Sequence, residues 1–107
     1  MGSKELLLKI ETSVSKSLTP ESISIIKDDD FIKTVKIVSD AFIGKSLSSR
    51  LQMTLAPIRL NAADILVDFD LTFVLVSKSE NQKWTDYEEL NNKLTSTPNN
   101  RQVAKDL

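Results

Sequence analysis

Four groups of residues have types and spacings that could carry chemistry. Two are acidic: the run Asp28-Asp29-Asp30, and the set Asp64, Asp68 and Asp70. Grouped carboxylates can exchange protons or hold a hard cation. A calcium loop of the EF-hand type, however, needs oxygen ligands at alternate positions, a central glycine and a closing glutamate, which Asp28–Asp30 lacks. Those three acids are expected in a turn, and the second set is spaced like a helix surface running into one. The third group, Gly44-Lys45-Ser46, suits the start of a helix, with glycine turning the chain, serine capping and lysine facing water or a partner. The fourth is basic. Lys33, Lys36, Lys45, Arg50 and Arg59 face only Asp40 within residues 31–60, giving that third a net +4, while residues 1–30 carry −2 and residues 61–107 carry −3. Such a zone is either a solvated face or a surface for phosphates.

What is missing excludes more. The 107 residues include no histidine and no cysteine. That removes the commonest neutral-pH acid–base group, the thiolate nucleophile, disulfides and the usual soft-metal ligands. No phosphate-binding glycine loop is present, so catalysis is not expected and neither catalytic nor metal-ligating residues are assigned. The 40 % hydrophobic and 27 % charged residues are an ordinary globular mixture, enough for one domain at this length. No apolar run is long enough to cross a bilayer and no signal peptide is evident, so the expected setting is intracellular, cytoplasmic or organellar.

These residues must be positioned by a short series of elements. Leu7, Ile10, Val14 and Leu18, with Leu6 beside them, share one helical face, and Thr19-Pro20 should end that helix, predicted at 4–18. Ser22 to Ile25 alternates as a strand does, and Phe31 to Val38 is rich in β-branched residues. The pair predicts a hairpin around the acidic turn. Ser46 should cap a helix with Leu47, Leu51 and Leu55 as its apolar stripe, and Pro57 should end or kink it before a second helix at 58–67. Leu71 to Val76 is apolar enough for a central strand. Thr85 and Glu88 form a capping-box pattern ahead of Tyr87, Leu90 and Leu94, predicting a last helix at 86–94, and residues 95–107 are expected as a flexible polar tail. Phe42, Leu47, Met53 and Trp84 are expected in the core. The order α-β-β-α-α-β-α, with a three-stranded sheet and helices on one face, is an α+β domain spanning residues 1–94.

Val38-Ser39-Asp40-Ala41-Phe42 and Gly44-Lys45-Ser46-Leu47, followed by Arg50 and Met53 and, after the last strand, Trp84, resemble the signature of the BolA family. The resemblance covers about residues 4–90. It implies a fold similar to class II KH domains. It also implies partnership with a monothiol glutaredoxin in handling [2Fe–2S] clusters or, as in bacterial members, binding to nucleic acid. Three departures bear on the cluster. Arg50-Leu51-Gln52 stands where the family has Arg-His-Arg, and Thr72 where a histidine begins the last strand. Asp28-Asp29-Asp30 replaces a loop that in relatives supplies a cysteine or second histidine. Threonine hydroxyls are poor iron ligands, and carboxylates are unusual at a soft [2Fe–2S] centre. The expectation is therefore a non-catalytic interaction protein that contacts a glutaredoxin through Lys45, Ser46, Arg50 and Gln52. It should bind no cofactor by itself and share a cluster only through the partner. The alternative is a KH-like nucleic-acid module using Lys33, Lys36, Lys45, Arg50 and Arg59, with no membrane role in either case.

Overall fold

The computed structural model describes residues 2–83. Trp84, the helix expected at 86–94 and the tail expected from 95 lie outside the described residues.

Helix α1 (Ser3–Leu18) buries Leu6, Ile10, Val14 and Leu18, a stripe at spacings of four, while Leu7 is only half-buried. Thr19 turns left-handed ahead of Pro20, its N–H closing on the Ser15 carbonyl. Strands β1 (Ser22–Asp29) and β2 (Ile32–Val38) pair antiparallel, and β3 (Asp70–Val76) adds to β2 in parallel, so the sheet order is β1-β2-β3. Register puts Ile23, Ile37 and Leu75 in one row of the inner face and Ile25, Val35 and Phe73 in the next. Helices cover this face. Phe42, Ile58, Ala62 and Ile65 complete the core, each large side chain contributing about 1.5–3 kcal/mol by its burial. The expected α+β order and the single helix-covered face are both present.

Four local expectations are corrected. The acidic run is mostly strand: β1 extends through Asp29 because an extra residue at Ile26 bulges the ladder, bringing Asp28 opposite Lys33. Strand β3 is an edge, and β2 is the central strand. Helix α2 (Leu47–Asn61) continues through Pro57, and the break comes at Ala62, before the short α3 (Asp64–Asp68). Only one turn follows Pro57, so the single N–H it removes interrupts the ladder close to where it would fray anyway. Finally, residues 78–83 form a further helix, α4. Its capping box is Ser77 with Glu80: the Glu80 N–H donates to Ser77 Oγ (3.3 Å), and the Ser77 N–H donates to Glu80 Oε1 (2.8 Å).

Candidate functional site

The segment between β2 and α2 shows what each residue of the family-like signature does. Ser39 is buried at a three-way junction. Its hydroxyl donates to the Leu18 carbonyl and accepts from the Ala41 N–H (3.1 Å), and its own N–H reaches the Val76 carbonyl (2.9 Å). A 3-10 turn (Asp40–Phe42) then drops Phe42 into the core. Asp40 Oδ1 accepts from the Lys78 N–H (3.0 Å), stabilising the first turn of α4, where free N–H groups favour an anion. Gly44 sits at φ +74°, where an L side chain would be strained, and Ser46 caps α2 by accepting from the Ser49 N–H (3.1 Å). Most of the signature is therefore scaffold, and Lys45 is an exposed member whose side chain makes none of these contacts.

Arg50 behaves differently from its sequence reading. It is 7 % exposed and buried by its place on α2, where Arg50, Thr54 and Ile58 form the inward face. Its Nη1 donates to Glu80 Oε1 (2.7 Å) and to the Leu75 carbonyl (3.0 Å), Nη2 donates to Glu80 Oε2 (3.1 Å), and Nε donates to the Lys45 carbonyl (2.9 Å). The Phe42 ring lies 5.8 Å away beneath the guanidinium. These donors are consumed in joining α2, β3 and α4, which leaves Arg50 no surface to offer a partner. The Arg50 hydrogen bonds, followed by the Ser77 N–H, hold the Glu80 carboxyl down at about 2 from its ordinary 4.5. The stripe expected to fill the core points outward instead: Leu47 is 77 % exposed and Leu51 41 %. Met53 is half-buried against the core.

Of the residues expected at a partner surface, the structure brings Lys45 and Gln52 to one exposed flank of α2, where they line a shallow groove with Ser48, Ser49 and Met53. Ser46 lies at the head of the same flank with its hydroxyl engaged in the cap. Ser48 and Ser49 were missed by the sequence reading. Only their helical spacing from Lys45 and Gln52 could have signalled them.

The basic residues expected to bind nucleic acid do not form one patch. Lys33 is buried on the inner face, paired with Asp28 and 5.8 Å from the Phe69 ring. The hydrogen bond from Lys33, followed by one from Ser3, holds the Asp28 carboxyl below its usual range. Arg50 is buried. Lys36 belongs to the opposite face, which no helix of the described residues covers, in register with Ser24 and Val74. Arg59, in the last turn of α2, stands about 180° around the helix from Arg50.

A [2Fe–2S] cluster would need donors that this chain lacks. The sequence supplies neither thiolate nor imidazole. Thr72 lies on the outer side in register with Thr34, whereas Asp28 lies across from the inward-facing Lys33. The two candidate positions thus sit on opposite faces of the sheet, and Asp28 is already bound to Lys33 and Ser3. These residues do not fit the cluster. Among the described residues no group of three or more acids could hold a metal ion, and no helix is long and apolar enough to cross a membrane.

No protein-family model matches the chain, and a search of the curated proteins finds no match. Solved structures do match. BolA1 from Arabidopsis thaliana superposes with a TM-score of 0.54 at 25 % identity, over 69 % of this chain and 93 % of that one. The BolA domain of SufE1 from Arabidopsis thaliana gives 0.54 at 24 %, over 75 % and 98 %. A bol-like protein from Babesia bovis gives 0.53 at 18 %, over 74 % and 92 %. The chain has the BolA-family fold, as its Val38–Leu47 signature implied.

Proposed function

We propose that this chain is a non-catalytic interaction protein that docks a monothiol glutaredoxin through the Lys45, Ser46, Gln52 flank of α2, and that it supplies no ligand to the partner's [2Fe–2S] cluster. The partner class follows from the family resemblance. The surface follows from the division of α2 into an inward face closed by Arg50, Thr54 and Ile58 and a flank where Lys45 and Gln52 remain exposed around a groove. That division is the observation that carries the reading. The absence of imidazole and thiolate assigns all cluster ligation to the partner.

The test mixes the purified chain with a cluster-loaded monothiol glutaredoxin and follows association by calorimetry and the cluster by visible absorption and circular dichroism. Association with an unchanged cluster spectrum is expected, and Lys45→Glu should weaken it by about tenfold, the effect of roughly 1.4 kcal/mol at a surface contact. No association, or a spectrum shifted to a differently ligated cluster, overturns the proposal. Arg50→Glu, the obvious variant from the sequence, is unsuitable because it would disrupt the fold.

A further inference from the structure

At the end of the sheet opposite Lys45, exposed aromatic surface and acids occur together. The hairpin turns through Asp30, at φ +51°, and Phe31, whose carbonyl accepts from the Asp70 N–H (2.7 Å) and so ties the turn to the start of β3. Asp30 and Phe31 line an open groove of about 550 Å³ with Asp68 and Phe69, at the passage from α3 to β3. Phe31 is 63 % exposed, and its neighbour Ile32 and the neighbour of Asp68, Val67, are exposed too. Two lysines of this end are already taken, Lys33 by Asp28 and Lys9 by Asp64. Among the described residues no ion pair reaches Asp29, Asp30, Asp68 or Asp70. That leaves these four acids in excess over the exposed Lys4 and Lys27.

We propose that this groove docks an arginine from a basic segment of a partner protein, its guanidinium stacking on Phe31 between the carboxylates of Asp30 and Asp68. The same chemistry is already at work beside it. Lys33 is paired with Asp28 and lies 5.8 Å from the centroid of the Phe69 ring, a ring that also lines the groove. The groove repeats the combination of ring and carboxylate, with its acids unpaired. Arginine suits it better than lysine, because a planar, weakly hydrated guanidinium can lie on an aromatic face while its fork bonds a carboxylate. A metal ion suits it less, since among the described residues no three acids are grouped to hold one. The acids instead flank a ring, which matches a delocalised cation on a partly apolar stem. Because the Phe31–Asp70 hydrogen bond holds the turn against β3, the groove is formed in advance and little ordering is lost on this side when it fills. The length of β2, about 20 Å, separates it from the Lys45 flank, so the inference does not depend on the glutaredoxin reading.

The test titrates the full, isotope-labelled chain with a capped hexa-arginine peptide and with its hexa-lysine counterpart, following backbone amides by nuclear magnetic resonance. Saturable shifts centred on Asp30, Phe31, Asp68 and Phe69 are expected, with hexa-arginine bound at least about threefold more tightly. Phe31→Leu should weaken hexa-arginine by about threefold, the size of an exposed cation–π contact, and hexa-lysine by less, whereas Phe31→Tyr should keep both. Asp68→Asn should weaken both peptides. Glu11→Gln, in the groove beside Pro20 at the other end of the sheet, should change neither. If circular dichroism shows that Phe31→Leu has unfolded, the preference for arginine and the Asp68→Asn loss must still be found. Equal affinity for the two peptides overturns the inference, as do shifts centred on other acids or binding undiminished in both the Phe31→Leu and Asp68→Asn variants. Shifts of the same amides on concentrating the chain without peptide also overturn it, because a second copy would then be the occupant.

Discussion

Replacing Arg50 with alanine is the most informative perturbation of the fold, because one side chain holds three elements. The loss separates into parts. The hydrogen bonds to the Lys45 and Leu75 carbonyls (2.9 and 3.0 Å) are made by a charged donor that is 7 % exposed, and are worth about 1–1.5 kcal/mol each. The Glu80 side chain is 44 % exposed, so solvent screening reduces the ion pair to about 1 kcal/mol despite its bidentate geometry. Together these give about 3–4 kcal/mol, to which the loss of the packed stem adds. At about 4–8 °C per kcal/mol for a domain of this size, the melting temperature should fall by more than roughly 12 °C. Arg50→Lys keeps the charge but cannot fork to both carboxylate oxygens, and should recover no more than about half. Glu80→Gln should cost only about 1 kcal/mol, because the amide can still accept from the Ser77 N–H in the capping box. Thermal unfolding followed by circular dichroism at neutral pH measures all three. A fall of less than about 4 °C for Arg50→Ala would refute the reasoning, as would a fall for Glu80→Gln as large as that for Arg50→Ala.

Two further outcomes are expected. Glu80 titrates at about 2 when folded against 4.5 ordinarily, so the stability it confers is fully present above about pH 5 and is lost as pH falls toward 2. After discounting for its exposure, that contribution is about 1–2 kcal/mol, and denaturant melts at pH 6 and pH 3 should show this part of the difference vanish in Glu80→Gln. Pro57→Ala restores an N–H inside α2 and should raise the urea midpoint, by an amount equivalent to about 1–3 kcal/mol. An unchanged or lower midpoint would mean that the rigidity of proline in the unfolded chain outweighs the missing hydrogen bond.

The fold was legible where hydrophobic period and burial coincide. The stripe of α1, the hairpin, the Ser46 cap and the strand at 71–76 all follow from spacing and propensity. On α2 that logic inverted. Leu47, Leu51 and Leu55 outrank Arg50 and Thr54 in hydropathy, yet Arg50 and Thr54 are inside. Thr54 donates to the Arg50 carbonyl one turn back, whereas Arg50 itself reaches the Leu75 carbonyl and the Glu80 carboxylate, groups remote in sequence, the Arg50–Glu80 pair spanning thirty residues. No local pattern can anticipate that. Lys33 misled for the same reason: its place two residues before Val35 gave the correct face, and only the cross-strand partner Asp28 makes an inward lysine tolerable. The Ser77–Glu80 box, by contrast, was readable as a Ser-x-x-Glu pattern and was overshadowed by the similar Thr85–Glu88 pair. For the candidate site, Lys45 and Gln52 were legible as exposed polar residues of a helix start. Arg50 was misplaced because its type suggested a contact while its surroundings made it a clamp.

The extra residue at Ile26 also bears on how the hairpin avoids error while it forms. Pairing that started correctly at Ile23–Ile37 and Ile25–Val35 and simply continued without the bulge would set Lys27 against Lys33 and Asp28 against Ile32. Like charges would then meet on the face that must close over the core, a mismatch that destabilises a cross-strand pair instead of supporting it. Admitting one residue out of step converts that repulsion into the Asp28–Lys33 attraction. The hairpin thus carries its own proofreading: the more regular alignment is rejected by charge, and the irregular one is kept.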